Sequence, residues 1–208
     1  MGLATVGASP FLESGLAWRA VPGEKASGDR AVVHGYPGGV LVAVVDGLGH
    51  GPEAAAAAER AVVVLEQHGP ASVIALVRRC HEQLIGTRGA VITLAAFNVE
   101  DDTVTWLGVG NVEGVLLHAS GHTGPALEAV VQRGGVVGGD LPALRATITT
   151  AAAGDVMVLA SDGVRPDFAT LLRPDVPMQR LADDILAAKY KGNDDAVVLA
   201  LRYRGASG

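Results

Sequence analysis

VLVAVVDGLGHGPEAAAAAERAV occupies residues 40–62. Six apolar residues run into Asp46, glycine then recurs at 47, 49 and 51, and an alanine-rich segment follows. An apolar run of this length reads as a strand buried on both faces, and Pro52 suits the first turn of a helix over 53–68. Asp46 closes the most hydrophobic stretch of the chain. Four readings stand open for it: a hairpin turn, a nucleotide loop, an ordinary strand-to-helix connection, or a metal site.

Working outward, 15–21 (GLAWRAV) and 30–34 (RAVVH) read as strands, the second forming a hairpin with 40–45 through the turn at Tyr36-Pro37-Gly38-Gly39. Gly69-Pro70 stops the first helix, and Val73, Leu76, Val77, Cys80 and Leu84 make one face of a second over 71–85. Strands are expected at 90–97, 103–109, 112–118, near 128–132, at 145–151, 155–160 and 196–203. The mixed segment 166–190 holds a third helix, MQRLADDILAAKY, and 164–192 reads as a cover near the site. Paired helices followed by a strand meander do not suit a doubly wound parallel sheet. They predict one α+β domain over 1–208, with two mainly antiparallel sheets and helices on the outer faces.

The chain has 208 residues, 49% of them hydrophobic, enough for a sizeable core. No apolar run approaches bilayer length. MGLATVGASPFLESG lacks the basic start and apolar core of a secretion signal, and Val6 stands where a myristoylation motif wants Ser or Thr. The single cysteine, Cys80, fits a reducing, cytoplasmic setting. A net charge of -6 argues against nucleic acid as a partner, and no membrane partner is expected.

Three further acids repeat the arrangement of Asp46. Asp162 ends VMVLAS and again precedes glycine, while Asp194 and Asp195 lead into AVVLAL. With the last strand antiparallel to the other two, all these acids converge at one end of the core, and Asp29 is a candidate to join them. Clustered, partly buried carboxylates repel one another unless a cation compensates them. All-oxygen ligation suits Mg²⁺ or Mn²⁺. Glycine after Asp46 and Asp162 lets the chain turn and exposes a carbonyl as a further oxygen.

Rival chemistries fit less well. GLGHG lacks the third glycine of a dinucleotide loop, and no Walker lysine is present. Gly86 stands where a Cys-x5-Arg loop starting at Cys80 needs arginine, so Cys80 reads as a core thiol. No GxSxG elbow occurs, nor the second aspartate of an aspartyl-phosphate motif. His50 reads either as a phosphate-binding or proton-shuttling group or as an exposed turn residue. Asp183 and Asp184 read as a solvated helix face, and Asp101-Asp102 as a hairpin turn.

Taken in order, Gly28-Asp29, VDGLGHG (45–51), Arg88-Gly89-Ala90, GVGNVEG (108–114), Gly154-Asp155-Val156, Ser161-Asp162-Gly163 and Asn193-Asp194-Asp195 resemble the metal-dependent protein phosphatases. This is the protein phosphatase 2C, or PPM, superfamily, and the resemblance is to its SpoIIE/RsbX-like branch. It implies an αββα sandwich with two Mn²⁺ or Mg²⁺ ions. Asp46 would bridge them, with the Gly47 carbonyl, Asp162 and Asp194 as further ligands, Asp29 at the acidic position of the first motif, and Asp195 as a neighbour. It implies phosphoserine or phosphothreonine on STAS-domain proteins of a stress-signalling complex as substrate, hydrolysed by a metal-bridging hydroxide. Leu48 stands where many relatives carry a histidine, a role His50, two residues on, does not inherit by alignment; their phosphate-binding arginine has no clear match, and Lys25 and Arg30 are the candidate substitutes. Those departures leave a second expectation, a catalytically weak docking module of the same pathway.

Overall fold

A computed structural model of the chain describes residues 4–7, 9–24, 26–119 and 124–206. The elements run β1 (Ala4–Val6), β2 (Leu12–Arg19), β3 (Asp29–Tyr36), β4 (Gly39–Gly47), α1 (Pro52–Gln67), α2 (Val73–Leu84), β5 (Ala90–Asn98), β6 (Thr103–Val109), β7 (Glu113–Leu117), β8 (Leu127–Ala129), β9 (Gln132–Arg133), β10 (Thr147–Thr150), β11 (Val156–Ala160), a 3-10 turn (Pro166–Leu171), α3 (Met178–Lys189) and β12 (Ala196–Tyr203). One sheet has the order β1-β3-β4-β5-β6-β10, with β9 also pairing β6; the other has the order β2-β12-β11-β7-β8. Pairings are antiparallel apart from β1 with β3 and β6 with β9. No helix among the described residues is long and apolar enough to cross a membrane.

The apolar run of β4 is buried on both faces, as its composition requires. Side chains alternate along a strand. Val40, Val42 and Val44 therefore enter the core between the two sheets, while Leu41, Ala43 and Val45 meet α1 and α2. β12 divides in the same way: Val197, Leu199 and Leu201 face the first sheet, and Ala196, Val198 and Ala200 face α3. The result is the expected αββα sandwich, with three apolar layers separated by two sheets. Cys80 is fully buried under α1, and its thiol is pushed up to about 12 by that burial, as befits a core residue.

Several boundaries differ from the sequence expectation for identifiable reasons. The first long strand ends at Arg19 rather than 21, because the Val21 amide leaves the sheet to donate to Asp195 Oδ1 at 2.8 Å. The single piece expected near 128–132 is two short strands in different sheets. Between them Val130 crosses the sandwich and donates its amide to the Gly114 carbonyl. β1 is an addition to the expected strands; it docks parallel to β3. Asp102, expected in a turn, holds φ 48 there, and its carboxylate also accepts from Tyr203 Oη at 2.7 Å. Asp183 and Asp184 sit on α3, where Asp183 bonds Gln179, and Asp184 bonds Arg173.

Two glycines let the backbones close up around the strand ends. A Cβ on Gly47 would overlap the Ala54 backbone of α1, and one on Gly163 would overlap the Asp195 carbonyl. Gly134, by contrast, has nothing within 4 Å of the added Cβ. Gly163→Ala should therefore lower the unfolding free energy by about 3 kcal/mol. Gly134→Ala should stay within about 0.5 kcal/mol of the parent. Urea denaturation of the two variants checks this, and equal midpoints would show that the Gly163 contact is not constraining.

Candidate active site

Strand parity decides where the acids go. The odd residues Ala31 and Val33 of β3 face the inter-sheet core, as do the even residues Val42 and Val44 of β4. Asp29 and Asp46, continuing those series, lie on the inter-sheet side at one end of the hairpin, and they are direct cross-strand partners. On the opposite sheet, Met157 and Leu159 of β11 point inward, which carries Ser161 to the same place; Val197 and Leu199 of β12 do likewise for Asp195. β11 and β12 are antiparallel, so the end of one and the start of the other lie together.

Ser161 joins the two sheets. Its hydroxyl donates to Asp29 Oδ2 at 2.6 Å and accepts from the Val197 amide at 2.9 Å. Asp195 is buried and clamps the 20–28 segment, accepting from Val21 N through Oδ1 and from Gly28 N through Oδ2 at 2.6 Å. Asp162 and Asp194 follow and precede their strands and are partly exposed, forming the solvent side of the cluster. Asn111, just after β6, donates to Asp162 Oδ2 at 2.8 Å, and Asp194 Oδ1 accepts from the Asp195 amide at 2.8 Å.

The Gly47 carbonyl lies beside Gly28 at the same end. Its register partner Ala90 gives its own amide to Val137, so that amide does not take up the Gly47 oxygen. The backbone at 47 is held from the other side by its amide, which donates to the Gly28 carbonyl at 3.2 Å.

Burial pushes the Asp46 carboxyl up to about 9, reinforced by repulsion from Asp29, Asp162, Asp194 and Asp195. Asp29 is pushed up to about 7, again mainly by burial, with the Ser161 hydroxyl pulling the other way. Asp162 is raised by burial and then by Asp194, opposed by Lys191 and Asn111. Among the described residues no cation offsets the rise at Asp46. Among the described residues, no three of His, Cys, Asp or Glu are drawn tightly enough together to enclose an ion by themselves. The donor set is nonetheless all oxygen, anionic, partly open to solvent and supplemented by a carbonyl. It fits a hard divalent cation that keeps part of its water.

The other sequence candidates lie elsewhere. Arg30 is buried and committed, with Nη1 donating to the Ser27 and Asp29 carbonyls at 2.7 and 2.8 Å and Nε to Glu59 at 3.2 Å. His50 is two-thirds exposed and faces Glu24, with Nδ1 at 3.2 Å from Oε1. Lys25 lies outside the described residues. Leu48 packs against the inter-sheet core. Sequence reasoning assigns no part to Asn111 or Ser161. The signal for Asn111 is the same as for the acids, a polar residue directly after an apolar strand; for Ser161 it is strand parity.

An acid whose pKa is raised on folding holds its proton more tightly in the native state. Between the ordinary value of 3.8 and about 9 the native form of Asp46 binds more protons than the unfolded form. Stability therefore falls as pH rises through that window. In EDTA the protein should lose thermal stability from about pH 5 to about pH 9. Asp46→Asn should flatten that slope and raise the melting temperature at neutral pH by several degrees, roughly 2–4 °C per kcal/mol recovered. Calorimetry across the pH range checks both, and a melting temperature that climbs with pH contradicts the account.

The family described as stage II sporulation protein E (SpoIIE) matches residues 36–204. The chain is 23% identical over 174 residues to the phosphoserine phosphatase RsbX of Bacillus subtilis (strain 168), covering 83% of this chain and 85% of that one. Among solved structures it is similar, at 31% identity and a TM-score of 0.84, to a chain of the bacterial stressosome described as a modular system adapted to control secondary messenger signaling; 92% of this chain and 99% of that chain are covered. RsbX in complex with magnesium superposes with a TM-score of 0.83 at 20% identity, covering 96% of this chain and 98% of that one. The Mycobacterium tuberculosis serine/threonine phosphatase PstP/Ppp does so with 0.72 at 17%, covering 93% and 99%. With its strands, acids and sandwich arranged in this way, the chain belongs to the SpoIIE family, on the RsbX-like branch of the PPM phosphatase fold.

Proposed function

We propose that the chain is a metal-dependent serine/threonine protein phosphatase of bacterial stress signalling, acting on phosphoserine or phosphothreonine of STAS-domain regulators. The observation that carries this reading is the Asp29–Asp46 register pair, buried opposite Ser161-Asp162 and Asp194-Asp195, with Asp46 raised to about 9 and no cation among the described residues to relieve it. Asp46, the Gly47 carbonyl, Asp162 and Asp194 would hold Mn²⁺ or Mg²⁺, two ions being expected, with Asp29 beside them. Bound there, such ions neutralise phosphoryl oxygens and acidify a water for attack on phosphorus. The magnesium complex of RsbX and the phosphoserine phosphatase name of that relative support the assignment of metal and reaction. The similarity to a stressosome chain supports the pathway.

The chain's own residues set the geometry. Asn111 fixes one oxygen of Asp162 and leaves the other for ligation. Asp195 gives both oxygens to backbone amides, so it holds the 20–28 segment against the acids rather than ligating. Ser161 has its proton on Asp29 and its lone pair on Val197, and the Cys80 thiol is buried with its pKa raised. Neither is available as a nucleophile, which favours direct hydrolysis without a covalent phosphoenzyme. Leu48 offers no proton, so the leaving oxygen is protonated by solvent.

A phosphorylated STAS-domain protein should lose phosphate in a time course with Mn²⁺ or Mg²⁺ and keep it in EDTA. Asp46→Asn should lower kcat by roughly a thousandfold while the circular dichroism spectrum is retained. Equal rates with metal and with EDTA contradict the metal mechanism. Tight partner binding without turnover at saturating Mn²⁺ would make the chain a docking module instead.

A further inference from the structure

The acidic cluster poses a problem for its own substrate: a phosphomonoester dianion must approach Asp29, Asp46, Asp162, Asp194 and Asp195 together. A bound metal would offset this at the centre, but the rim needs a positive group that is not already engaged. Most nearby cations are engaged. The Arg30 guanidinium is occupied by two carbonyls and Glu59. Arg88, packed beneath Gly49, pairs with Glu53 at 2.6 Å. Lys189 pairs with Asp167, and Arg165 donates to the Ala188 carbonyl.

Lys191 is different. It lies on the turn between α3 and β12, two residues before Asn193 and three before Asp194. That turn is anchored against the Asp162 loop. The Lys191 amide donates to the Gly163 carbonyl at 2.9 Å, Tyr190 bridges to Val164, and the Tyr190 hydroxyl donates to the Asp194 carbonyl at 3.0 Å. Gly192, at φ +85, then reverses the chain so that Asp194 returns to the cluster. The Lys191 backbone is therefore pinned between the two solvent-side acids, while its side chain is exposed. Its ammonium forms no ion pair within 4 Å among the described residues, yet it is close enough to draw the Asp162 carboxyl downward.

We propose that Lys191 is the substrate-binding cation of this site, its ammonium meeting the phosphoryl oxygens of the phosphorylated side chain on the open edge between Asp162 and Asp194. This rests on the phosphatase reading above. A lysine suits this role because it is a compact point charge on a flexible stem, able to follow a phosphate without the fixed fork of an arginine. The anchored turn supplies the position and the stem supplies the reach.

The test uses the full chain with Mn²⁺ and compares the parent with Lys191→Ala and Lys191→Arg. For Lys191→Ala, KM for a phosphoserine peptide and the inhibition constant of inorganic phosphate should both rise about tenfold. Its kcat should stay within about threefold, and the Mn²⁺ concentration for half-activation and the urea midpoint should be unchanged. Lys191→Arg should recover most of the loss. An unchanged phosphate inhibition constant in Lys191→Ala overturns the proposal. So does a shift in Mn²⁺ half-activation alone, which would make Lys191 a partner of Asp162 rather than of substrate. Should the parent show no turnover, calorimetric binding of the phosphoserine peptide in Mn²⁺ separates the two ideas. Binding that is lost in Lys191→Ala upholds Lys191 and sinks the phosphatase reading; absence of binding in the parent sinks both.

Discussion

Everything at the working end of this molecule depends on two carboxylates being opposed across a β-hairpin. Asp29 and Asp46 are register partners in β3 and β4, both directed between the sheets. Directly opposed like charges destabilise a strand pair, and burial multiplies the cost because the anions lose water. The hairpin keeps this register because the remainder of both strands is buried on two faces. A slip of one residue would exchange Val40, Val42 and Val44 with Leu41, Ala43 and Val45 between two cores of different shape. Hydrophobic packing along the strands thus imposes an electrostatic conflict at their ends.

The second sheet is fitted to that conflict by close contacts rather than by counter-charge. Gly47 allows the Ala54 turn of α1 to sit on the strand end, and Gly163 allows the β11 end to meet the Asp195 carbonyl. Alanines at 54, 57, 58 and 61 keep α1 low on the sheet. Ser161 then spans the sandwich with one hydroxyl, donor to Asp29 and acceptor from Val197. Close-packed backbone at the strand ends of both sheets holds the acids in place, which is how a site with unfavourable ground-state electrostatics persists.

The sequence made this end of the molecule readable because charged residues seldom close wholly apolar runs. Asp46, Asp162, Asp194 and Asp195 each interrupt such a run, and strands β4, β11 and β12 were legible for the same reason. β8 and β9 were not: each is two or three residues long, and only the partner strand, in different sheets, defines them. β1 is defined likewise by its parallel contact with β3. Asn111, Ser161 and Lys191 were given no part since polar residues in loops are ordinary and only the fold brings them to the acids. Arg30, read as a phosphate-binding or supporting group, has its guanidinium on the Ser27 and Asp29 carbonyls, which close the backbone of its own strand entry.

Asp29 and Asp46 are neighbours yet unequal. Both are raised by burial and by repulsion from Asp162, Asp194 and Asp195; Asp46 is raised further by Asp29, and only Asp29 receives a hydroxyl hydrogen bond, from Ser161. That bond stabilises the Asp29 anion, and the Asp29 charge in turn raises its partner, so Asp29 is pushed up to about 7 and Asp46 to about 9. In the absence of a cation, the first proton taken up as pH falls goes to this pair. Protons and hard cations compete for the same lone pairs, and both are drawn to the anion least satisfied by the protein. The residue left without a donor is accordingly the one on which a cation relieves most strain. The Ser161 hydroxyl, by serving Asp29 and not Asp46, leaves Asp46 the less satisfied carboxylate of the pair.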